Sequence, residues 1–210
     1  MHKLFVIYIL MFPALSVANT HHNTWDFNVY LNNDLIGDHS FVVSGSESEK
    51  SVMISANFDV RFLFFSAYNY QHDNIETWQG QCVKKVSSFT DDNGDIIKLM
   101  AKKSDAEMVV NVNDKVTVTK QPCIKSFAYW DPSILNEKYL FNSQTGEYMS
   151  VEIKDMGGDT IEIKSRAVES RRYQIISSEF TIDLWYSPEG EWLSLHSTTK
   201  DGHLLEYRLK

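Results

Sequence analysis

The chain predicts an all-β fold with a minor helical part, a single antiparallel sheet that is strongly curved or rolled into an incomplete β-barrel. Period-two alternation of apolar and polar residues recurs along nearly the whole chain beyond residue 24. Clusters of Asn, Asp, Gly and Ser interrupt it about every ten to twelve residues, the spacing of a meander of short strands joined by tight turns. No Pro/Gly/Ser-rich linker or charge run divides the 210 residues, so residues 19–210 read as one β-rich domain.

Residues 1–18 read as an export signal. His2 and Lys3 make a short basic start, residues 4–12 are an unbroken apolar run, Pro13 breaks it, and Ser16-Val17-Ala18 supplies the small residues of a cleavage site, with the cut after Ala18. The run is too short for the roughly 20 residues that cross a bilayer as a helix, and no later stretch approaches that length. No Cys follows the cut, which disfavours a lipid anchor. The expected location is a periplasm, with secretion beyond it as the alternative, and the expected mature chain has no transmembrane segment.

Residues 19–24 read as a frayed end. Trp25, Phe27, Val29 and Leu31 then alternate with polar neighbours, Asn32-Asn33-Asp34 supplies a turn, and residues 36–43 resume an extended run, which makes a first hairpin. Further strands are expected over residues 51–57, 62–70, 75–84, 96–102, 108–112 and 116–120, with turn chemistry at Asp92-Asn93-Gly94, Ser104-Asp105 and Asn113-Asp114. Asp131-Pro132 looks like an N-cap followed by proline in the first turn, and predicts one short helix over residues 132–140. Strands follow over 148–154, 160–166, 172–177, 181–186, 192–198 and 204–209, separated by Gly157-Gly158, Ser187-Pro188-Glu189-Gly190 and Asp201-Gly202.

Export gives the cysteines a structural meaning. Cys82 and Cys123 are the only pair, and in an oxidising compartment they are expected to form a disulfide. Closing a loop of that size is worth about 4 kcal/mol on the chain-entropy account. No Cys/His cluster has metal-ligand spacing, so no metal and no cofactor is expected. A formal net charge of −8 lacks the basic footprint that neutralises phosphates, which excludes nucleic acid as a partner.

Catalytic signatures are equally thin. His39, His72, His196 and His203 fall on separate strands or turns, no Gly-x-Ser-x-Gly elbow occurs, and the acid pairs Asp91-Asp92 and Glu189/Glu191 lie in turns. Asp183, on the strand face it shares with Trp185, is the best lone acid, and an outward polar residue is its simpler explanation. No catalytic residue is assigned.

Binding has more support. Phe62-Leu63-Phe64-Phe65 is apolar on both faces, which means burial on both sides or the wall of a cavity. With Met53, Met100 and Met108 it would make a deformable lining for an acyl chain. The chain also holds five Trp, ten Tyr and twelve Phe. Trp78, Tyr129, Trp130, Trp185 and Trp192 sit at or near expected strand ends, where pocket rims are built. The candidate ligand-binding residues are therefore Phe62, Phe64, Phe65, Trp78, Tyr129, Trp130 and Trp185.

The segments Phe127-Ala128-Tyr129-Trp130-Asp131, Leu140-Phe141-Asn142-Ser143-Gln144-Thr145-Gly146-Glu147 and Asp183-Leu184-Trp185-Tyr186, the closing residues 202–209, and the opening Trp25-Asp26-Phe27 and Ile36-Gly37-Asp38-His39 resemble a family of exported bacterial proteins known only as a domain of unknown function. More distantly, such proteins are similar to the open antiparallel half-barrel of periplasmic lipoprotein carriers, whose concave face holds acyl chains. The resemblance implies a curved open sheet around a hydrophobic ligand and supplies no catalytic residues. The expected function is non-enzymatic binding of a lipid or other hydrophobic molecule. The alternatives are an envelope hydrolase with a site assembled from separated Asp and His residues, and a docking module for an envelope protein.

Overall fold

The computed structural model describes residues 21–62, 65–105, 107–198 and 202–210. The expected export signal and Phe64 lie outside the described residues. Eight strands come first: β1 (His21–Leu31), β2 (Asp34–Gly45), β3 (Glu49–Phe62), β4 (Phe65–Gln79), β5 (Cys82–Asp92), β6 (Asp95–Ser104), β7 (Glu107–Val112) and β8 (Lys115–Thr119). A connecting segment follows, with a 3-10 helix (Pro132–Asn136) and the small hairpin β9 (Tyr139–Phe141) and β10 (Tyr148–Ser150). The chain closes with β11 (Glu152–Ile163), β12 (Arg166–Ile176), β13 (Thr181–Tyr186), β14 (Trp192–Thr198) and β15 (Leu204–Leu209).

Thirteen of these strands form one sheet, in the order β11-β12-β13-β14-β15-β1-β2-β3-β4-β5-β6-β7-β8. Every adjacent pair is antiparallel. The last strand pairs with the first, Leu209 opposite Phe27, so the two ends of the chain meet inside the sheet and β8 and β11 are its edges. The turns are set by residue chemistry. Asn32-Asn33 (φ 48° and 73°), Asn113-Asp114 (46° and 67°) and Lys164-Ser165 (50° and 62°) each place two residues at positive φ. Such two-residue turns match the right-handed twist of the strands they join.

The sheet curls around the connecting segment. Trp130 packs on Trp78 of β4 with ring centroids 5.4 Å apart, Tyr129 on Trp192 of β14 at 5.5 Å, and Phe127 on Phe180 next to β13 at 5.5 Å. Phe41 of β2 lies 4.9 Å from Trp192, although β1 and β15 separate their strands. Ile124, Ala128, Ile134, Leu140 and Phe141 complete this internal plug, all buried. Buried Lys125 ties it together, donating to Ser133 Oγ (3.0 Å) and the Ser133 carbonyl (3.2 Å) and pairing with Glu137 at 2.9 Å. The expected disulfide between Cys82 and Cys123 fastens the start of the plug to β5.

Four expectations are corrected. The runs 62–70 and 75–84 are not separate strands: the chain reverses between Phe62 and Phe65, β4 continues unbroken through Gln71–Asn74, and the next reversal is at Gly80, whose φ of 59° suits glycine. Gly157 is a bulge inside β11, where the register shifts between Asp155 and Gly157, and the real turn is Lys164-Ser165. Residues 148–154 divide at Val151, because β10 pairs with β9 while β11 joins the large sheet. Residues 21–24 pair with β2 rather than fraying.

The expected helix forms with Asp131 as its cap, whose carboxylate accepts from the Ser133 N–H at 3.0 Å. It is a single 3-10 helix ending at Asn136, because Leu140 and Phe141 bury themselves as part of β9.

Candidate functional site

The inward face of β4 is polar. Tyr70, His72, Asn74, Glu76 and Trp78 share it, while Gln71, Asp73, Ile75 and Thr77 face outward. Glu76 is fully buried and accepts three hydrogen bonds, from Asn74 Nδ2 (2.9 Å), Trp78 Nε1 (2.8 Å) and Ser126 Oγ of the plug (2.9 Å). Burial raises its pKa above the ordinary 4.5, and the three donors oppose that shift in part.

Further along the strand, one cross-strand row runs His39 (β2), Ala56 (β3), His72 (β4), Thr90 (β5). Strand spacing puts the two histidine backbones about 10 Å apart, and the only side chain between them is a methyl group. His39 Nδ1 bonds to the Tyr207 hydroxyl at 3.1 Å, and the ring stacks on Phe41 at 4.3 Å. His72 Nδ1 bonds to Thr90 Oγ1 at 2.8 Å. Each ring is thus held through Nδ1, leaving Nε2 as its other polar atom. His39 Nε2 is buried without a hydrogen-bond partner among the described residues.

His39, Phe41, His72 and Tyr207 help line a cavity of about 280 Å³ between the sheet and the plug. Its apolar walls include Phe41, Ile54, Phe127, Phe180, Ile182 and Leu195, and its polar groups include His39, Tyr70, His72, Tyr129, Gln144 and Tyr207. Tyr70 donates to Gln144 Oε1 at 3.0 Å, which joins β4 to the turn 142–147. Ser88 adds a second tie, donating to the Ser143 carbonyl at 2.6 Å. Gly146 completes that turn at a φ of 78°, with the space where a Cβ would sit only 2.7 Å from Val112.

The site is uncharged. Burial, and the neighbouring His72, push His39 from 6.5 down to about 3. Burial pushes His72 down to about 4, with Asp73 opposing it weakly. Burial raises the Tyr70, Tyr129 and Tyr207 hydroxyls above their ordinary range, so all five groups are neutral at pH 7. No Asp, Glu, Lys or Arg is among the lining residues. Neither imidazole therefore has the lining carboxylate that orients and activates a catalytic histidine. The arrangement offers neutral donors and acceptors at the floor of an apolar hollow, which suits an uncharged polar head.

Of the residues singled out from sequence, Tyr129 lines this cavity. Phe62 closes β3 and Phe65 opens β4 opposite it. Trp78 is entirely buried in the core, and Trp130 lies against it with its Nε1 lacking a partner among the described residues. Trp185 is on the outward face, donating to Asp159 at 2.8 Å and resting against His196. Asp183, on the same face, pairs with Arg172 at 3.2 Å. Met53 and Met100 also point outward, 50% and 59% exposed, and Met108 is core, so the methionines do not form an interior lining.

The sequence reasoning missed His39, Tyr70, His72 and Tyr207. Apart from Trp78, the β4 sequence carries no apolar phase marking the inward side, so alternation alone did not reveal that His72 faces inward.

A curved sheet wrapped around its own connecting segment, with a small neutral cavity between them, defines a β-barrel-like protein. The profile described as Domain of unknown function (DUF6134) matches residues 27–210, and the chain belongs to that family. A solved structure, the beta-barrel-like protein of domain of unknown function DUF1849 from Brucella abortus, is similar in fold, with a TM-score of 0.65 at 10% identity over 90% of this chain and 95% of that one. No curated protein matches the chain. Among the described residues, no helix is long and apolar enough to cross a membrane, and no group of three or more His, Cys, Asp or Glu side chains is placed to hold a metal ion.

Proposed function

We propose that this is an exported, non-enzymatic binding protein whose cavity takes an uncharged amphipathic ligand, an alcohol, ester or amide head on an apolar body. The observation that carries this is the histidine pair across Ala56, with His39 Nε2 buried at the floor of apolar walls and without a hydrogen-bond partner among the described residues. A charge placed there would lose hydration without gaining a counter-charge, whereas a carbonyl or hydroxyl gains a hydrogen bond. At about 280 Å³ the cavity is at the small end for ligand sites. It accepts a short ligand, or the head of a longer lipid whose tail leaves through the mouth. The disulfide supports an oxidising compartment, and thus the export expected from residues 1–18.

Calorimetric titration at pH 7 with octan-1-ol, octanoate and octylammonium tests the ligand class. Octanol is expected to bind, with both ions at least about tenfold weaker. His39→Leu with His72→Leu is expected to weaken octanol by about tenfold, one hydrogen bond's worth. Native mass spectrometry of detergent-free protein, followed by organic extraction, identifies the natural ligand. Octanoate binding as well as octanol, or a clean apo mass with no uptake of any probe, overturns the proposal.

A further inference from the structure

The outward face of β3–β8 carries a second feature, independent of the cavity. One cross-strand row reads Met53, Ile75, Ser87, Met100, Asn111, Val116, and its neighbour reads Ser51, Thr77, Lys85, Lys102, Val109, Val118. Six strands at about 4.8 Å spacing make each row roughly 24 Å long. Met53, Ile75, Met100, Val109, Val116 and Val118 are all between 38% and 62% exposed.

Met53 with Ile75, and Met100 with Val109, Val116 and Val118, make two exposed apolar clusters on one face across Ser87, which marks an interaction face. Its charge runs against the rest of the chain. The net charge is −8, yet the two rows hold Lys85 and Lys102 and no acid, and Lys98 stands in the next row. The one carboxylate in that row, Asp73, is taken up by hydrogen bonds from Ser55 and Gln71. Lys85, Lys98 and Lys102 form no ion pair among the described residues. The edge strand β8 is short, so the rows of side chains, rather than the backbone edge, present the larger surface.

We infer that this face docks on the surface of an anionic lipid bilayer, the lysines meeting headgroup charge and the methionine, isoleucine and valine side chains entering the interfacial layer. The combination selects the occupant. Three lysines against the single carboxylate of these rows, Asp73, call for an anionic partner, and unbranched Met beside Val and Ile calls for an apolar layer beneath it. A soluble anion meets only the first requirement and neutral lipid only the second.

Co-sedimentation with vesicles of 70:30 phosphatidylcholine and phosphatidylglycerol, against pure phosphatidylcholine, tests it with the full mature chain. Binding is expected only to the anionic vesicles and is expected to weaken at least tenfold in 0.5 M NaCl. Lys85→Gln/Lys98→Gln/Lys102→Gln should reduce it about fivefold per lysine. Met53→Gln/Met100→Gln, with the charge intact, should weaken it several-fold as well. All five positions are exposed, and circular dichroism checks that the fold is kept. The His39→Leu/His72→Leu protein should bind vesicles normally, which separates this inference from the cavity proposal. No binding to anionic vesicles, full binding by the methionine variant, or light scattering that shows the patch occupied by a second copy of the chain overturns it.

Discussion

Glu76 is the joint between sheet and plug, and its replacement has outcomes that the geometry separates. In Glu76→Ala, three buried donors lose their acceptor: Trp78 Nε1, Asn74 Nδ2 and Ser126 Oγ. Each stranded donor costs about 1–3 kcal/mol, and removal of a desolvated carboxyl returns part of that, leaving a net loss of about 3–5 kcal/mol. At about 2–4 °C per kcal/mol for a chain of this size, the melting temperature falls by about 10 °C. Glu76→Gln keeps one oxygen for Trp78 and Ser126 and turns an N–H₂ toward Asn74. Asn74 can rotate its amide to accept there with Oδ1, an atom that has no partner among the described residues. Its cost is within about 1 kcal/mol of zero. The pH dependence follows from the raised pKa. The folded state keeps the Glu76 proton to higher pH than the unfolded chain, so this stabilisation is full below 4.5 and is lost as pH rises through the folded value. Glu76→Gln lacks this titration and gains on wild type as pH rises above 4.5. Thermal unfolding followed by near-ultraviolet circular dichroism reads both effects through Trp78 and Trp130. Alanine and glutamine variants of equal stability, or a wild-type-to-Gln difference that does not move with pH, would refute the reasoning.

The histidine pair should act in the opposite direction: with pKa values lowered to about 3 and about 4, their contribution is present above 6.5 and is lost as pH falls below it, by roughly 1.4 kcal/mol per histidine per pH unit. Urea midpoints at pH 7 and pH 5 should show this loss, and His39→Leu/His72→Leu should flatten it. Reduction of Cys82–Cys123, which are 41 residues apart, should cost about 4 kcal/mol, read as a drop in the urea midpoint with dithiothreitol that a double Cys→Ala protein does not show. Gly146→Ala should destabilise by about 2 kcal/mol, since it adds a left-handed penalty and a contact with Val112; an unchanged melting temperature would show that the 142–147 turn is not packed as described.

The parts of the fold legible in the sequence are those where local chemistry and global position agree. Asn32-Asn33, Asn93-Gly94 and Asn113-Asp114 are residues that tolerate positive φ, and each makes the turn expected of it. Thr181–Leu184 alternates polar and apolar, and Ile182 and Leu184 face the core together with Tyr186. Lys164-Ser165 has no such signature. It turns because β11 and β12 pair to their ends around it, a tertiary cause invisible in a window of ten residues. Gly157-Gly158 carried the turn signature and used it for a bulge instead.

The cavity was illegible for a related reason. A strand is read by asking which face is apolar, and β4 points polar groups inward, where Glu76 and Tyr70 bond Ser126 and Gln144 of the connecting segment while His72 bonds Thr90 of β5. Ser126 and Gln144 lie 50 and 74 residues from the groups they bond, so no local pattern announces them. The same inversion pushes Ile75 to the outward face, beside Met53 and across Ser87 from Met100. Polar cavity and apolar outer patch are thus two consequences of one choice of register: a slip of β4 by one residue would bury Ile75 and expose Glu76. That this register buries Glu76 and exposes Ile75 is a reason to look for function on both faces of this strand rather than on one.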